Sequence, residues 1–274
     1  MIAIRGGAGL GDALYVQAIA RHLVQDGSVV EACTNYPDVF LPLGHNVICS
    51  PFRRERIDRV AHYSMRRHIR DTDQFTDCCI QAGIRGPVDL RLDWEAQPNT
   101  ETVAHLRAVK RRLGRQIVAV ALPREPMDRT DGYGRELLPD LSMIQRALDL
   151  LAPTSYIVQL GAGSGVLGRY SGIDLDLANK TTVEQMLDAA ACADLFVGHV
   201  SFFVPLAESL GVPALFAWSR RGLQSKNEII RWLTPAKVFH AKRLMRAVID
   251  DCSADELSGA VDEVRQLGYS SRAA

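Results

Sequence analysis

Short apolar runs alternate with amphipathic helical patterns along most of the chain. The first such unit consists of the apolar run IAIR at residues 2–5, a glycine-rich turn, a helical pattern from about Asp12 to Gln25, and the apolar run SVVEAC at residues 28–33. Strands that alternate with helices are typical of βαβ units, in which the strands are parallel. The pattern therefore predicts an α/β fold with a mainly parallel sheet.

The strand–helix pattern restarts at the run QIVAVALP, residues 116–123. The elements predicted after it are a helix at 140–152, a strand and glycine turn at 156–165, a helix at 181–193, a strand at 194–199, a helix at 202–211, a strand at 213–219 and a helix at 255–268. This restart predicts two Rossmann-like domains, residues 1–114 and 115–274, facing across a cleft. Ligands of such folds bind beyond the carboxyl ends of the strands. Residues 49–115 are rich in arginine and are predicted to be mostly helical.

The composition limits the possible chemistry only loosely. With 274 residues the chain is long enough for two domains, and its 32 basic residues balance 32 acidic ones, so the net charge indicates no partner. The cysteines and histidines show no metal-ligand spacing, which predicts no bound metal. Unpaired cysteines without a signal-peptide pattern are typical of a cytoplasmic protein. No apolar run is long enough to span a membrane, so we expect membrane contact to be peripheral at most.

The turn GGAGLGD, from Gly6 to Asp12, admits two functional interpretations. The dinucleotide-binding pattern GxGxxG can be laid on Gly7, Gly9 and position 12, with Glu31 about 20 residues further on, where a ribose-binding acid belongs. This first interpretation predicts an NAD-dependent oxidoreductase. However, a carboxylate at position 12 would face the pyrophosphate of the cofactor, so Asp12 opposes it.

In the second interpretation, Asp12 is a general base. The N–H groups and macrodipole of a helix N-terminus favour the ionised carboxylate, and a base at the edge of a cleft can deprotonate a hydroxyl nucleophile. Gly9 would let an acceptor molecule approach the backbone closely. The alternative is that Asp12 is an ordinary helix N-cap, for which Asp is a preferred residue. The turn alone leaves both possibilities open.

A second set of motifs lies between Leu177 and Ser219, in the segment LANKTTVEQMLDAAACADLFVGHVSFFVPLAESLGVPALFAWS. This segment resembles glycosyltransferase family 9, the heptosyltransferase family, whose members typically carry "GKTSLEEL…ADLVVGVDTG…HLAAALGVP". The opening GxGLGDAL also resembles the first loop of that family. The resemblance implies a GT-B fold that binds a nucleotide-sugar donor mainly on the second domain and the acceptor mainly on the first. It further implies inversion at the anomeric centre, with no metal and no cofactor besides the co-substrate.

The resemblance also assigns roles to individual residues. Asp12 matches the residue that serves as the catalytic base in the family. Thr181 and Thr182 fall in the segment that lies near the base of the donor nucleotide. Ser201 and Phe202 match the Thr-Gly pair that lies close to the donor phosphates.

The chain departs from the family pattern at two positions. The Asp of "VDTG" is Val200 here, and the His of "HLAA" is Pro205. His199, next to Val200, could reach the space of the missing acid. The lysine usually found after the first strand of the second domain also has no obvious match. Arginines in that loop that could neutralise a departing diphosphate are Arg124, Arg129 and Arg135.

The turn GAGSG, which contains Gly161 and Gly163, follows an apolar run. Free backbone N–H groups at the carboxyl end of a strand can hold a phosphate, although glycine turns also simply reverse the chain. Together with the opening turn, it predicts a donor site and an acceptor site that meet in the cleft.

Residues 51–70 contain seven arginines, and residues 107–115 contain five more basic residues. A solvated helix face is one explanation for such runs. The functional explanation is an anionic acceptor, either a phosphorylated glycan or DNA, because arginine suits phosphate recognition. The arginines predicted to contact this acceptor are Arg53, Arg54, Arg66 and Arg67.

The predicted function is therefore metal-independent, inverting transfer of a sugar from a nucleotide-sugar donor to a hydroxyl of an anionic acceptor, such as a glycan of the lipopolysaccharide type. One alternative is a phage-type DNA glycosyltransferase acting on hydroxymethylated pyrimidines. The others are an NAD-dependent oxidoreductase and a non-catalytic GT-B-fold protein, the latter suggested by Val200 and Pro205.

Overall fold

The computed structural model describes residues 1–53, 55, 57–62, 72–97, 100–123, 133–163 and 166–270. The elements of the first half are β1 (Ile2–Arg5), α1 (Leu10–Gln25), β2 (Val30–Thr34), β3 (Val47–Pro51), β4 (Arg59–Val60), α2 (Gln74–Gln81) and α3 (Glu101–Leu113). Those of the second half are β5 (Gln116–Ala121), α4 (Leu141–Leu151), β6 (Ser155–Leu160), β7 (Leu175–Asp176), α5 (Val183–Ala191), β8 (Leu195–His199), α6 (Phe203–Leu210), β9 (Ala214–Trp218), α7 (Arg220–Leu223), α8 (Glu228–Trp232), α9 (Pro235–Val238), β10 (Met245–Ile249) and α10 (Ala254–Ser270). Segments of 3-10 helix lie at Pro37–Asn46 and Tyr133–Leu137.

The first sheet has the strand order β3-β2-β1-β4, and its strands are parallel. Its register pairs Ile2 with Val30 and Arg5 with Val60. α1 connects β1 to β2 and is buried along most of its length. It packs both against this sheet and against α6 of the second half. This double contact explains why the α1 sequence ALYVQAIA is apolar on nearly every side.

The second sheet has the order β10-β9-β8-β5-β6-β7, again with parallel strands. Every residue of β5, β8 and β9 is buried. Parallel strands that are covered on both faces have nearly continuous apolar sequences, as β5, β8 and β9 do here. On one face, residues of β5 such as Val118 and Val120 pack with α4 and α10. On the other face, Ala119 and Ala121 pack with α5 and α6.

The two sheets share one hydrophobic core. Ile4 of β1 and Ile19 of α1 belong to the same buried cluster as Phe196 of β8 and Phe216 of β9. The cluster is continuous because α1 and α6 lie against each other between the sheets. Burial on this scale dominates the stability of the chain.

A segment without regular secondary structure, residues 84–97, ties the two halves together. Arg21 of α1 donates to the carbonyl oxygen of Asp89 (2.6 Å) and to the carboxylate of Asp93 (3.2 Å). The indole N–H of Trp94 donates to the carboxylate of Asp188 in α5 at 2.9 Å. The segment therefore runs from the first helix to a helix of the second half.

The α/β class with parallel sheets is confirmed, and each strand and helix predicted after residue 115 is present. The mostly helical prediction for residues 49–115 is wrong in the part that the structure describes. β3, β4 and the extended segment 84–97 lie there, because buried apolar residues such as Val88, Leu90 and Leu92 carry that segment over the core. The domain boundary between residues 114 and 115 remains a prediction.

Asp188 is expected to contribute strongly to stability. Its buried carboxylate accepts hydrogen bonds from Trp94 Nε1 (2.9 Å) and from the Gln97 N–H (3.0 Å). The substitution Asp188→Ala leaves both donors without an acceptor, so we expect the free energy of unfolding to fall by about 2–4 kcal/mol in urea denaturation. The matched control is Asp149→Ala, which removes the exposed carboxylate that pairs with Gln145 and should cost no more than about 0.5 kcal/mol. Equal effects of the two variants would contradict the bridging role.

Candidate active site

A cavity of about 440 Å³ lies between the N-terminus of α1 and the carboxyl ends of the second sheet. The first half contributes residues of the opening turn, of α1 and of two flanking segments: Gly9, Leu10, Gly11, Asp12, Tyr15, Tyr36 and Gln74. The second half contributes residues that follow its strands or begin its helices, among them Gly161, Thr181, Thr182, His199, Val200, Ser201 and Phe202. Asp12 and the second-domain motif residues therefore share one cavity.

The glycine turn sets the position of the Asp12 carboxylate. Gly9 is the N-cap of α1, and Asp12 is the third residue of the helix, not the N-cap. The Asp12 side chain turns back and accepts a hydrogen bond from the Gly9 N–H at 3.2 Å. A Cβ atom at Gly7 would lie 2.5 Å from Asp12 Oδ2, so any other residue there would force the Asp12 carboxylate to move. The backbone of the turn therefore lies directly against the Asp12 carboxylate and helps to fix its position.

Burial raises the pKa of Asp12 above its usual value. The neighbouring charge of His62 and the N–H groups of Gly9 and Gly7 lower it, but only in part. The expectation that the helix N-terminus favours the ionised form is therefore wrong in its net direction, because desolvation outweighs the N–H groups. A carboxylate with a raised pKa is a stronger base once ionised, which suits proton abstraction.

The residues that the resemblance assigns to the donor lie where strands end and helices begin. His199 is the buried last residue of β8, and Ser201 and Phe202 follow it. The Ser201 hydroxyl oxygen accepts from the Phe203 N–H (3.3 Å), and that of Thr182 accepts from the Gln185 N–H (3.2 Å). Both hydroxyl groups thus help to begin a helix while their residues line the cavity.

The structure does not bring every predicted site residue to the cavity. Gly163 lies outside the lining, and its N–H donates to the Asn179 side chain at 2.7 Å, so it is not the free donor that was expected. Arg53 is also outside the lining and pairs with Glu31 at 3.2 Å. Arg135 lies in the 3-10 segment Tyr133–Leu137, is exposed and is not part of the cavity lining. The other predicted arginines lie outside the described residues: Arg54, Arg66, Arg67, Arg124 and Arg129.

The two positions that depart from the family pattern both line the cavity. Pro205 lies in α6 and packs against α1. A Cβ atom at Gly11 would lie 3.1 Å from Pro205 Cγ and 3.4 Å from the Cα of Phe202. Glycine at position 11 and proline at position 205 therefore allow a close contact between the two helices beside the cavity.

Several lining residues were not predicted from the sequence. Tyr15 lies three positions after Asp12, hence on the same face of α1, and this spacing could have identified it. Its hydroxyl donates to Gln74 Oε1 at 3.4 Å. Tyr36 follows the carboxyl end of β2, another usable signal. For Gln74 and Leu233, nothing in the sequence indicates a place in the site.

Two further findings concern only the part of the chain that the structure describes. There, no three side chains of His, Cys, Asp or Glu come together in an arrangement that could hold a metal ion. None of its helices is both long and apolar enough to cross a membrane.

Comparison with known proteins identifies the fold. No protein-family model and no curated protein sequence matches the chain. Among solved structures, ADP-heptose lps heptosyltransferase II from E. coli matches with a TM-score of 0.59, covering 99% of both chains at 13% identity. The family 9 glycosyl transferase of Veillonella parvula matches with a TM-score of 0.60, covering 98% of this chain and 88% of that one at 10% identity. This chain has the heptosyltransferase fold.

A third match supports the same assignment. The E. coli heptosyltransferase WaaC, solved with ADP, matches with a TM-score of 0.54 over 98% of both chains at 10% identity. At such identities the likeness concerns the fold alone. The resemblance to family 9 seen in the motifs is thus confirmed as a heptosyltransferase-like GT-B fold.

We expect the ionised, partly buried carboxylate of Asp12 to lower the stability of the folded chain at neutral pH. The pKa of Asp12 is higher in the folded chain than in the unfolded chain. The folded state therefore binds more protons, and it loses stability as pH rises from the pKa of the unfolded chain to that of the folded chain. Asp12→Asn keeps an acceptor for the Gly9 N–H but cannot ionise. We therefore expect it to raise Tm by a few degrees at about pH 8, and to lose this advantage at about pH 3, where Asp12 is protonated in both states.

The control for this prediction is Asp255→Asn, which changes an exposed carboxylate in the first turn of α10. An exposed carboxylate at a helix N-terminus stabilises the helix, so this variant should lower Tm slightly at about pH 8. A lower Tm for Asp12→Asn at that pH would show that burial does not dominate the electrostatics of Asp12.

Proposed function

We propose that the chain is a glycosyltransferase that moves a sugar from a nucleotide-sugar donor to an acceptor hydroxyl, with Asp12 as general base. The observation that carries this proposal is the placement of Asp12. Its half-buried carboxylate, with a raised pKa, shares a cavity with Ser201, Phe202 and Thr181 at the strand ends of the second sheet. A base on one side and a candidate donor site on the other is the arrangement that group transfer requires.

The proposed reaction is a single displacement. The acceptor hydroxyl oxygen attacks the anomeric carbon as Asp12 takes the hydroxyl proton, and the bond from that carbon to the diphosphate oxygen breaks. Attack opposite the leaving group inverts the anomeric configuration. The diphosphate leaves with the bonding electron pair, so cationic groups nearby would speed its departure.

The cavity lining among the described residues contains no lysine or arginine. Leu122 lines the cavity, and Arg124 and Arg129 follow it closely in the sequence. That adjacency supports the proposal that these two arginines neutralise the departing diphosphate, without a metal ion. Thr181 and Thr182 would then lie beside the nucleotide base, next to Met186 one turn later in α5.

The first donor to test is an ADP-sugar. A dodecameric heptosyltransferase TibC was solved with ADP-D-beta-D-heptose, and it matches this chain with a TM-score of 0.57 at 12% identity. WaaC was solved with ADP. For the acceptor we propose an anionic glycan, approached from the side of Gly9 and Tyr36. The oxidoreductase alternative is weakened because Glu31, its expected ribose ligand, already pairs with Arg53.

A nucleotide panel tests the donor site. The melting temperature is measured with ADP, UDP, GDP, dTDP, CMP and NAD. A ligand that binds only the folded state adds about 2.7 kcal/mol of stability at a concentration about 100-fold above its Kd. We expect one nucleoside diphosphate, with ADP first, to raise Tm. Stabilisation by NAD alone would instead support the oxidoreductase, and no response at all would support the non-catalytic alternative.

Loss of the Asp12 carboxylate is expected to abolish transfer while leaving nucleotide binding intact. With ADP-heptose as donor and a phosphorylated lipopolysaccharide core glycan as acceptor, ADP release by Asp12→Asn should fall by about 10²–10⁴-fold, the usual contribution of a general base. The Tm increase caused by ADP should be unchanged. Asp255→Asn is again the matched control and should retain wild-type turnover.

The outcome that contradicts this mechanism is full turnover by Asp12→Asn. Duplex DNA with hydroxymethylated pyrimidines, assayed in parallel, distinguishes the acceptors. DNA binding that weakens steeply as salt rises would support the DNA alternative, because it indicates contacts to phosphates.

A further inference from the structure

A cluster of three titratable side chains joins the two halves of the chain near the cavity. Asp73 is the N-cap of α2, Glu208 lies in α6, and His240 lies between α9 and β10. His240 Nδ1 is 3.1 Å from Asp73 Oδ1, so the two groups form a hydrogen-bonded ion pair when the imidazole is protonated. The rings of His240 and Phe75 of α2 also pack in a T-shaped arrangement, with 5.0 Å between ring centroids.

Glu208 holds the backbone on the other side of His240. One carboxylate oxygen, Oε1, accepts from the N–H groups of His240 (2.7 Å) and Ala241 (2.9 Å). The side chain is 5% exposed, and within the described structure Oε2 has no hydrogen-bond partner. A buried carboxylate oxygen without a partner is costly when charged, so the charge state of this cluster affects its stability.

The three groups influence the protonation of one another. Burial raises the pKa of Glu208 to about 7. The hydrogen bond to Asp73 raises the pKa of His240. Burial acts to raise the pKa of Asp73, but the hydrogen bonds from His240 and Thr76 outweigh it and the net shift is downward. Near-neutral pH is therefore the range in which the cluster changes its charge.

Other charged and titratable groups face the cluster. Asp89 and Arg91 line a cavity of about 370 Å³ together with Glu208 and His240. The charge of Asp89 favours the protonated imidazole. On α2, the Cys79 thiol feels the charge of Asp73, and burial together with that charge raises its pKa to about 12, so it stays protonated.

The cluster is adjacent to two walls of the candidate active site. Gln74 directly follows Asp73, and Val238 comes two residues before His240; both line the candidate active-site cavity. Since α2 also contacts α9, separation of these two walls requires the contact between Asp73 and His240 to break.

We propose that Asp73, His240 and Glu208 form a proton-controlled latch that holds α2 of the first half against α6 and the α9–β10 connection of the second half. With His240 and Glu208 protonated, the three side chains carry no net charge and the latch is closed. When both have lost their protons, two carboxylates flank a neutral imidazole with a net charge of −2, and the latch opens. The latch does not depend on which reaction the cavity performs.

The direction of the pH effect is the same for both groups. The contribution of His240 is fully present below about pH 6.5 and is lost as pH rises through its raised pKa. Glu208 keeps its proton in the closed state up to about pH 7, whereas an exposed Glu loses it near pH 4.5, so rising pH again favours opening. Opening therefore increases between weakly acidic and weakly alkaline pH.

Hydrogen–deuterium exchange of the full chain tests the latch. The amides of residues 238–242 are followed between about pH 6 and about pH 8.5, with the intrinsic base-catalysed rate divided out. We expect their protection to fall on the order of tenfold over this range, the change that one pKa unit of linkage gives. His240→Gln keeps a hydrogen-bond donor for Asp73 but cannot titrate, so its protection should vary much less with pH.

The matched control is His105→Gln. This histidine bonds to the Tyr156 hydroxyl at 2.8 Å, away from the cluster, and its loss should leave the wild-type pH dependence unchanged. In Glu208→Gln the amide oxygen still accepts from both N–H groups, so the protection of residues 238–242 should fall less steeply with rising pH. This variant tests the latch if His240→Gln does not fold. Constant protection in the wild type, or wild-type pH dependence in either latch variant, would overturn the proposal.

Discussion

The close packing of α1 against α6 is the contact on which the rest of this structure depends. At Gly11 the helices approach so closely that a Cβ atom would lie 3.1 Å from Pro205 Cγ. Because of this close approach, α1 contributes to the packing of both sheets, and Ile19 and Phe216 belong to one core. It also brings the Asp12 carboxylate to the strand ends of the second sheet. A side chain at position 11 would require Pro205 to shift, and Pro205 both contacts α1 and lines the cavity, so folding and the site share one steric requirement.

The electrostatics of the site follow from burial more than from the helix dipole. An exposed carboxylate in the first turn of a helix is stabilised in its charged form by the nearby N–H groups. Asp12 has such groups, from Gly7 and Gly9, yet its pKa is raised because the cavity walls and the glycine turn exclude water from it. The same argument applies to Glu208, where two N–H groups fail to offset burial. In both cases burial raises the pKa of a carboxyl group above its usual value even though backbone N–H groups lower it.

The sequence predicts the central strands well, but the edge strands β3, β4, β7 and β10 and the connections poorly, for a physical reason. Strands such as β5 and β8 are buried on both faces, so their apolar runs are visible without knowledge of any partner. The segment 84–97 has an alternation of buried and exposed residues but pairs with no strand, and its course depends on distant partners such as Arg21 and Asp188. For the site, motifs placed Asp12 and Ser201 in one cavity. Gln74 enters it only through the packing of α2, which local sequence does not encode.

Pro205 and Val200, the two departures from the family pattern, have different structural consequences. Pro205 stands where the pattern has a histidine, and it packs against Gly11, so this position joins the two halves and offers no side-chain donor or acceptor to a ligand. Val200 also lines the cavity and removes an acid, but His199 beside it is a buried polar residue of the same lining. The acidic chemistry of the described lining is therefore concentrated in one carboxylate, that of Asp12. If the chain performs glycosyl transfer, the positive charge that stabilises the departing diphosphate must come from outside the described lining, which makes Arg124 and Arg129, the arginines that follow β5 in the sequence, the candidates.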